Sequence, residues 1–429
     1  MKESTIAQLK DNSLWFDIIQ TSGSSTPVEF KNGNLYSVKE RQNSGTGLRV
    51  NCGGKTGFAY TNGTDFDETA QAARALAKYG EDEGFSLPQK GADYPQCRGF
   101  TAAEFDTAGE IEKGRELAAK IKDRYPHAET DITLSGGNGK RTLTNSNGLS
   151  LEESFCHYSA SASVTLAEEE GRTEVWSAFS ADKSGALDLI EREIFWRLDN
   201  SVRKASVSSA KIPVLLSAQG VLSFLDILLG GLDARSIYRG ISPYCGKIGS
   251  QMFHPSLNIL DNPLLEESPH RYSFDDEGVP AEKKYLIRNG VPETVIADLK
   301  YAWLLNGKPT GNASRGYSSL PAPSFSCIEL LPGSRSFNEI LASVKKGILV
   351  DSMIGLGQSN TVTGDFSANI DLGFLIDNGE LCGRVKDCMI SGNIFDIFSK
   401  SLEAASDPFF AGGSRVPGIL LESVDITSR

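Results

Sequence analysis

Asn-Gly pairs set the strongest limit on how this chain folds. Asn32-Gly33, Asn289-Gly290 and Asn378-Gly379 each separate two short runs of apolar and β-favouring residues. A two-residue Asn-Gly turn puts both residues at positive φ and reverses one strand onto the next. Glycine is frequent throughout, at 43 of 429 residues. Further Gly-rich punctuation falls at Gly45-Thr46-Gly47, Gly53-Gly54, Gly136-Gly137-Asn138-Gly139 and Asn145-Ser146-Asn147-Gly148. The chain is therefore expected to be rich in short antiparallel strands.

In the first half, strands are expected at 27–31, 35–39, 48–51 and 57–60. A helix follows, capped by Thr64 or Asp65, with Ala70, Ala73, Leu76 and Ala77 on one face. A second helix spans 108–124. Strands return at 129–135, 140–145, 148–162 and 172–181, with the Gly-Gly-Asn-Gly and Asn-Ser-Asn-Gly runs as their turns. A helix over 187–204, apolar at Leu189, Ile190, Ile194, Phe195 and Leu198, closes the half. The order hints at an internal duplication, but the two halves do not align. The small residues of 206–210 mark a boundary. Beyond it come a strand at 212–216, a helix at 220–229, and hairpins at 283–296 and around Asp377-Asn378-Gly379. The expected fold class is α+β: an N-terminal domain (1–205) of antiparallel strands with helices, and a β-rich C-terminal domain (206–429).

The formal net charge of -12 opposes direct nucleic-acid binding, which needs Lys and Arg to displace counterions from phosphates. The N-terminus has no basic run followed by an apolar one, so no signal peptide is expected. The most apolar stretch, 212–232, is interrupted by Gln219, Asp226 and glycines, which argues against a membrane span. Seven scattered cysteines without a Cys-x-x-Cys spacing fit reduced thiols and a cytoplasmic location.

Chemistry-bearing patterns are sparse. The four histidines form no HExxH, and adjacent Cys156 and His157 would point to opposite faces of a strand. No nucleophile elbow and no phosphate loop is present in the required setting. Three runs remain. Asp275-Asp276-Glu277-Gly278 offers carboxylates for acid–base work or a hard cation, or forms an acidic turn. Thr310-Gly311-Asn312, continuing to Gly316, is a polar loop of the kind that lies over grooves. Gly364-Asp365-Phe366-Ser367 is a turn entering a strand.

Taken in order, these runs resemble a known family. Asp275 to Pro280, Leu286-Ile287-Arg288-Asn289-Gly290, Thr310-Gly311-Asn312, Lys346 to Val350, Thr363 to Ser367 and Gly392-Asn393 are similar to the TldD/PmbA family, also called "modulator of DNA gyrase". Phe30 to Gly33, Gly47 to Val50 and Gly57 to Ala59 resemble its first domain, so the likeness covers nearly the whole chain. The resemblance implies a cytosolic metallopeptidase system. One subunit type, TldD, carries HExxxH on a helix opening the second domain and a Cys near the C-terminus, which hold zinc. The other, PmbA or TldE, lacks these ligands. Here the corresponding helix places Phe224 and Leu229 at the histidine positions and Leu225 at the glutamate, and the tail 406–416 has no Cys.

The resemblance therefore implies a PmbA/TldE-type subunit with no cofactor of its own. Zinc is expected in a TldD-type catalytic partner, and unfolded peptide in a chamber that the two subunits form. The alternative is a self-associating homodimer that binds peptides without a catalytic partner. A third reading is a different hydrolytic site at Asp275, Asp276 and Glu277 or at Asp365. The gyrase label is not matched by any basic stripe.

Overall fold

The computed structural model describes residues 6, 8–10, 13–63, 65–97, 105–168, 171–181 and 186–428. Seven strands build the first sheet: β1 (Trp15–Lys31), β2 (Asn34–Val38), β3 (Arg41–Cys52), β4 (Lys55–Thr61), β5 (Ala128–Asn145), β6 (Ser150–Glu168) and β7 (Gly171–Ala181). The sheet is antiparallel in the order β4-β3-β1-β5-β6-β7, with β2 folded onto the end of β1. Asn32 and Gly33 sit at φ 49° and 72° in the β1–β2 turn, as an Asn-Gly hairpin requires.

Two strands run further than expected. β1 begins at Trp15 and passes through the Ser- and Thr-rich stretch before Pro27, paired on one side with β3 and on the other with β5. The run Gly136-Gly137-Asn138-Gly139 is not a turn: β5 continues straight through it, opposite Gly23 to Thr26 of β1. These glycines make room instead. A Cβ on Gly136 would lie 2.0 Å from the Phe105 ring, and one on Gly139 would lie 2.3 Å from the Phe155 ring.

Helices α1 (Phe66–Ala77), α2 (Thr107–Arg124) and α3 (Ala186–Ser201) cover the sheet. Asp65 caps α1 by accepting the Glu68 N–H at 3.0 Å; Thr64 lies outside the described residues. The buried face of α1 is Phe66, Thr69, Ala70, Ala73 and Ala77. Leu76 is 48% exposed, because it precedes Ala77 by one residue and so points about 100° away from it. Helix α3 ends at Ser201, three residues sooner than expected, since Lys204 and Ala205 are taken up as a strand.

The second half contributes β8 (Lys204–Ala205), β9 (Ala210–Leu216), β10 (Ile259–Asp261), β11 (Lys284–Arg288), β12 (Val291–Pro292), β13 (Ala313–Ser314), β14 (Ala322–Pro323) and β15 (Ile328–Leu330). It continues with β16 (Lys346–Ile354), β17 (Asp365–Asp377), β18 (Glu380–Val385), β19 (Cys388–Asn393), β20 (Leu402–Ala404), β21 (Phe409–Ala411), β22 (Ser414–Val416) and β23 (Ile419–Ser428). Helices α4 (Ala218–Leu229), α5 (Ala234–Tyr238), α6 (Leu299–Leu304), α7 (Phe337–Ser343) and α8 (Ile394–Ser399) lie among them.

The pairing β16-β9-β23-β19-β17 returns to β16, which closes a five-stranded barrel. A second sheet runs β12-β11-β10-β15-β22-β21. The molecule is thus α+β with a β-rich second half. Both remaining Asn-Gly turns hold positive φ, at Asn289-Gly290 and Asn378-Gly379. The apolar stretch 212–232 divides into β9 and α4, and among the described residues no helix is long and apolar enough to cross a membrane.

The two halves share a core. Leu117 and Ile121 of α2 and Ile190, Ile194 and Leu198 of α3 pack in one cluster with Leu215, Leu349, Phe374 and Ile376 of the barrel strands. Continuous apolar packing of this kind joins the halves more firmly than a linker would.

Candidate functional site

The acidic run lies where the first sheet meets the second half, and its charges are paired. Asp17 of β1 and Arg49 of β3 are cross-strand partners whose side chains form a buried ion pair. Arg49 reaches on to Glu277 Oε1 at 2.7 Å, and Glu277 Oε2 accepts the Leu299 N–H of α6 at 2.7 Å. Arg315 completes the knot. Its Nη1 donates to Asp17 at 3.1 Å, its Nε to the Asp276 carbonyl at 3.0 Å, and its backbone N–H to Asp276 Oδ2 at 2.8 Å. Arg141 of β5 bridges Asp276 and Glu153, the latter at 2.6 Å. Asp275 folds back on its own turn, accepting the N–H groups of Glu277 and Val279 at 2.9 Å and of Ala313 at 3.0 Å.

The electrostatics follow from this packing. Burial pushes Asp17 upward, but Arg315 and Arg49 outweigh it and hold the carboxyl below its ordinary value. Asp275 has no cation of its own; burial, then the Glu277 charge, push it up to about 7 against its three backbone donors. Asp298, the N-cap of α6, is raised to about 7 by burial and by the same Glu277. These buried, paired charges join β1, β3 and β5 of the first sheet to the 275–277 turn and Arg315 of the second half.

The polar loop supports the knot. Asn312 donates to Asp261 Oδ2 at 2.8 Å and accepts from Lys284 at 2.9 Å and from Thr310 Oγ1 at 2.9 Å. Gly311 stands at φ 70°, where a Cβ would fall 2.4 Å from the Pro280 carbonyl, and its own carbonyl accepts the Tyr272 hydroxyl at 2.9 Å. Gly278, at φ 84°, packs against Leu149 and Leu143 and accepts from the Tyr94 hydroxyl at 2.9 Å.

The third run is elsewhere. Gly364, at φ 81°, turns the chain into β17. Asp365 is exposed, held by Asn393 at 2.9 Å and Thr363 at 2.8 Å, which lower its carboxyl. Phe366 points inward and meets the helix that opens the second half.

That helix is α4. Ser217 caps it by accepting the Gly220 N–H at 3.2 Å, and Gly231, at φ 84°, follows its end. Val221, Phe224, Leu225, Ile227, Leu228 and Leu229 are buried, leaving only a narrow face of Gln219, Leu222, Ser223 and Asp226. The Phe224 ring stands edge-on to Phe366 at 4.9 Å between centroids and to Phe398 at 6.4 Å. Such aromatic pairs add about 0.5–1.5 kcal/mol beyond the area they bury. Phe224, Leu225 and Leu229 have no lone pair to give a metal, so these residues do not fit the zinc that the resembled family holds there. Among the described residues, no three His, Cys, Asp or Glu side chains gather as metal ligands would.

A groove runs beside α4. A hollow of about 490 Å³ is lined by Leu222, Leu225, Asp226, Leu229, Phe325 and Ile328, among others. A second of about 320 Å³ is lined by Arg141, His270, Tyr272, Asp275, Asp276 and Asn312, with further small residues. Phe325, Ser326 and Gly412 border both, so the two hollows meet. Gly412 belongs to the β21–β22 turn, which brings the 406–416 tail against α4. Of the residues singled out in the sequence, Asp275, Asp276, Asn312, Leu225, Asp226 and Leu229 border the groove. Glu277, Gly278, Thr310, Gly311 and Phe224 stand behind it, and Gly364 and Asp365 border neither hollow. Sequence reasoning missed Asp17, Arg49, Arg141 and His270. The available signal was an acidic and a basic residue, Asp17 and Arg49, each alone between apolar neighbours.

The architecture is an antiparallel α+β first half joined to a barrel. The PmbA/TldA metallopeptidase C-terminal domain description matches residues 209–428, and the PmbA/TldA metallopeptidase domain 1 description matches residues 16–77. An uncharacterized protein of Methanocaldococcus jannaschii is 31% identical over 87% of this chain and 88% of its own length. A metalloprotease TldD homolog of Haemophilus influenzae is 27% identical, over 83% and 78%. The crystal structure of TldE from Thermococcus kodakarensis superposes with a TM-score of 0.92 over 99% of both chains, at 19% identity. This chain belongs to the PmbA/TldD metallopeptidase family.

Proposed function

We propose that this chain is a non-catalytic, PmbA/TldE-like subunit of a two-component zinc peptidase. It would pair with a TldD-type subunit, which supplies the metal, and help to form the chamber that holds unfolded peptide. The observation that carries this reading is the chemistry of α4. All three positions where the resembled family keeps its HExxxH donors are hydrocarbon, and Phe224 is locked among Phe366 and Phe398. No single substitution restores a metal site there. The long sheets suit the capture of extended peptide.

The test is co-expression with a TldD-type chain from the same genome, followed by size-exclusion chromatography and a peptidase assay on an unfolded substrate. A stable complex with activity that this chain lacks alone supports the proposal. If no complex forms and activity does not rise, the proposal fails. After dialysis against trace zinc, the isolated chain is expected to retain less than about a tenth of an equivalent. A full equivalent would place ligands elsewhere in the chain.

A further inference from the structure

A cavity of about 270 Å³ lies between the two halves, apart from the groove, with which it shares only Gln219. β7 and α3 line it from the first half; β16, α7 and the start of α4 line it from the second. Its deepest charges are committed to the fold. Arg197, the only cation among the described residues lining it, donates to Asp351 at 2.7 and 3.3 Å and to Glu193 at 2.7 Å. Other polar atoms there have no partner among the described residues. Ser177 is 8% exposed, yet its hydroxyl makes no hydrogen bond. The N–H groups of Ala218 and Gln219, in the first turn of α4, find no acceptor. Glu193 Oε1 and Asp407 Oδ2 accept nothing, while their sister oxygens are taken by Arg197 and by the Phe337 N–H at 2.8 Å. A buried hydroxyl left in this state is costly until an occupant satisfies it.

We infer that this cavity binds a free amino acid, as the zwitterion, with a leucine-sized apolar side chain. The donors that lack acceptors meet the α-carboxylate, at a helix N-terminus that favours negative charge. The carboxylate oxygens that lack donors meet the α-ammonium. The side chain lies against Trp196, Phe337, Leu341 and Phe409. An anion alone would leave Glu193 and Asp407 unanswered, and an amine alone would leave the N–H groups unanswered; a zwitterion satisfies both sets. The volume falls just under the roughly 300–1,000 Å³ of sites for drug-sized ligands, which suits a molecule of amino-acid size. Because both halves supply the lining, the occupant ties one to the other. The inference goes beyond the subunit role: it gives the chain a small-molecule site of its own.

The experiment is calorimetric titration of the isolated full chain with L-leucine, glycine, isoamylamine and isocaproate. The last two keep the branched side chain and lose the carboxylate or the ammonium. Saturable leucine binding is expected, with a rise in melting temperature. Each of the other three should bind about tenfold more weakly or worse. Asp407→Asn, an exposed substitution that still accepts the Phe337 N–H, should weaken leucine several-fold and leave isocaproate unchanged. Ser177→Leu, which fills the cavity, should abolish binding, its melting temperature without ligand reporting whether it folds. Any of four results overturns the inference: no saturation with leucine, a second probe that equals leucine, an unchanged preference for leucine over isocaproate in D407N, or native leucine affinity in a folded S177L. The assay needs no partner, so its failure leaves the subunit role standing, and failure to form a complex leaves the cavity standing.

Discussion

Two buried regions of this molecule solve the same packing problem with opposite chemistry. At the junction of the two halves, Asp17, Arg49, Glu277, Arg315, Asp276 and Arg141 are packed as paired charges. Around α4, where the resembled family places charged and metal-binding groups, the space is filled by Phe224, Phe366 and Phe398. Paired charges are directional and hold two surfaces in one register. Aromatic packing is not selective in that way, but it needs no partner of matching charge. Buried charge is thus concentrated where the first sheet meets the second half, and the buried side chains of α4 are hydrocarbon.

The contrast is most easily broken at the knot. Arg49→Met leaves Asp17 and Glu277 buried without their shared cation and should cost about 3–5 kcal/mol in guanidinium denaturation. A loss under about 1 kcal/mol would mean that the knot behaves as a solvated surface pair. Phe224→Ala, which opens the aromatic cluster, should cost about 3–4 kcal/mol. Phe224→His should cost less, about 1–3 kcal/mol, for an imidazole buried without a partner. Added zinc should leave the melting temperature of the F224H variant unchanged, because Leu225 and Leu229 supply no further ligand. A zinc-dependent rise would show that donors lie within reach.

A smaller effect concerns pH. Asp298 is raised from 3.8 to about 7 in the fold, so between those values the unfolded chain ionises while the folded one keeps its proton. Its stabilising contribution is therefore fully present below the ordinary carboxylate range and is lost as pH rises through about 7. Asp298→Asn keeps the cap of α6 without the titration. The advantage in melting temperature of the native chain over D298N should shrink between about pH 4 and about pH 8. A constant difference would mean that the carboxyl is ionised throughout. Least affected should be Asp365→Asn, on the exposed turn outside both regions, with stability indistinguishable from native by denaturation. A large loss would give that turn a structural weight its exposure does not suggest.

Local chemistry made much of the fold legible. The three Asn-Gly turns, the cap of α1 and the periodicity of α3 each depend on a few adjacent residues. Legibility failed where a distant strand decided the outcome. Gly136 to Gly139 have turn composition, yet they are strand because β1 and β6 pair across them and Phe105 and Phe155 need the vacant space. At the candidate site, the acidic run and the polar loop were visible as unusual segments. Their partners were not, because Asp17 and Arg49 become meaningful only once β1 and β3 are in register and a loop more than two hundred residues later is laid over them.

The barrel carries one more consequence, for the order in which the molecule is made. Strand β23 lies between β9 and β19, so the ring has a gap of one strand until residues 419–428 are available. Emerging from the ribosome, the first sheet has all its strands once residue 181 is out, while β9 waits some two hundred residues for its antiparallel partner. During that interval Val214, Leu215 and Leu216, fully buried in the finished ring, present an open strand edge to the cell. Nascent chains stalled before residue 419 should therefore recruit chaperones that chains released past residue 428 do not.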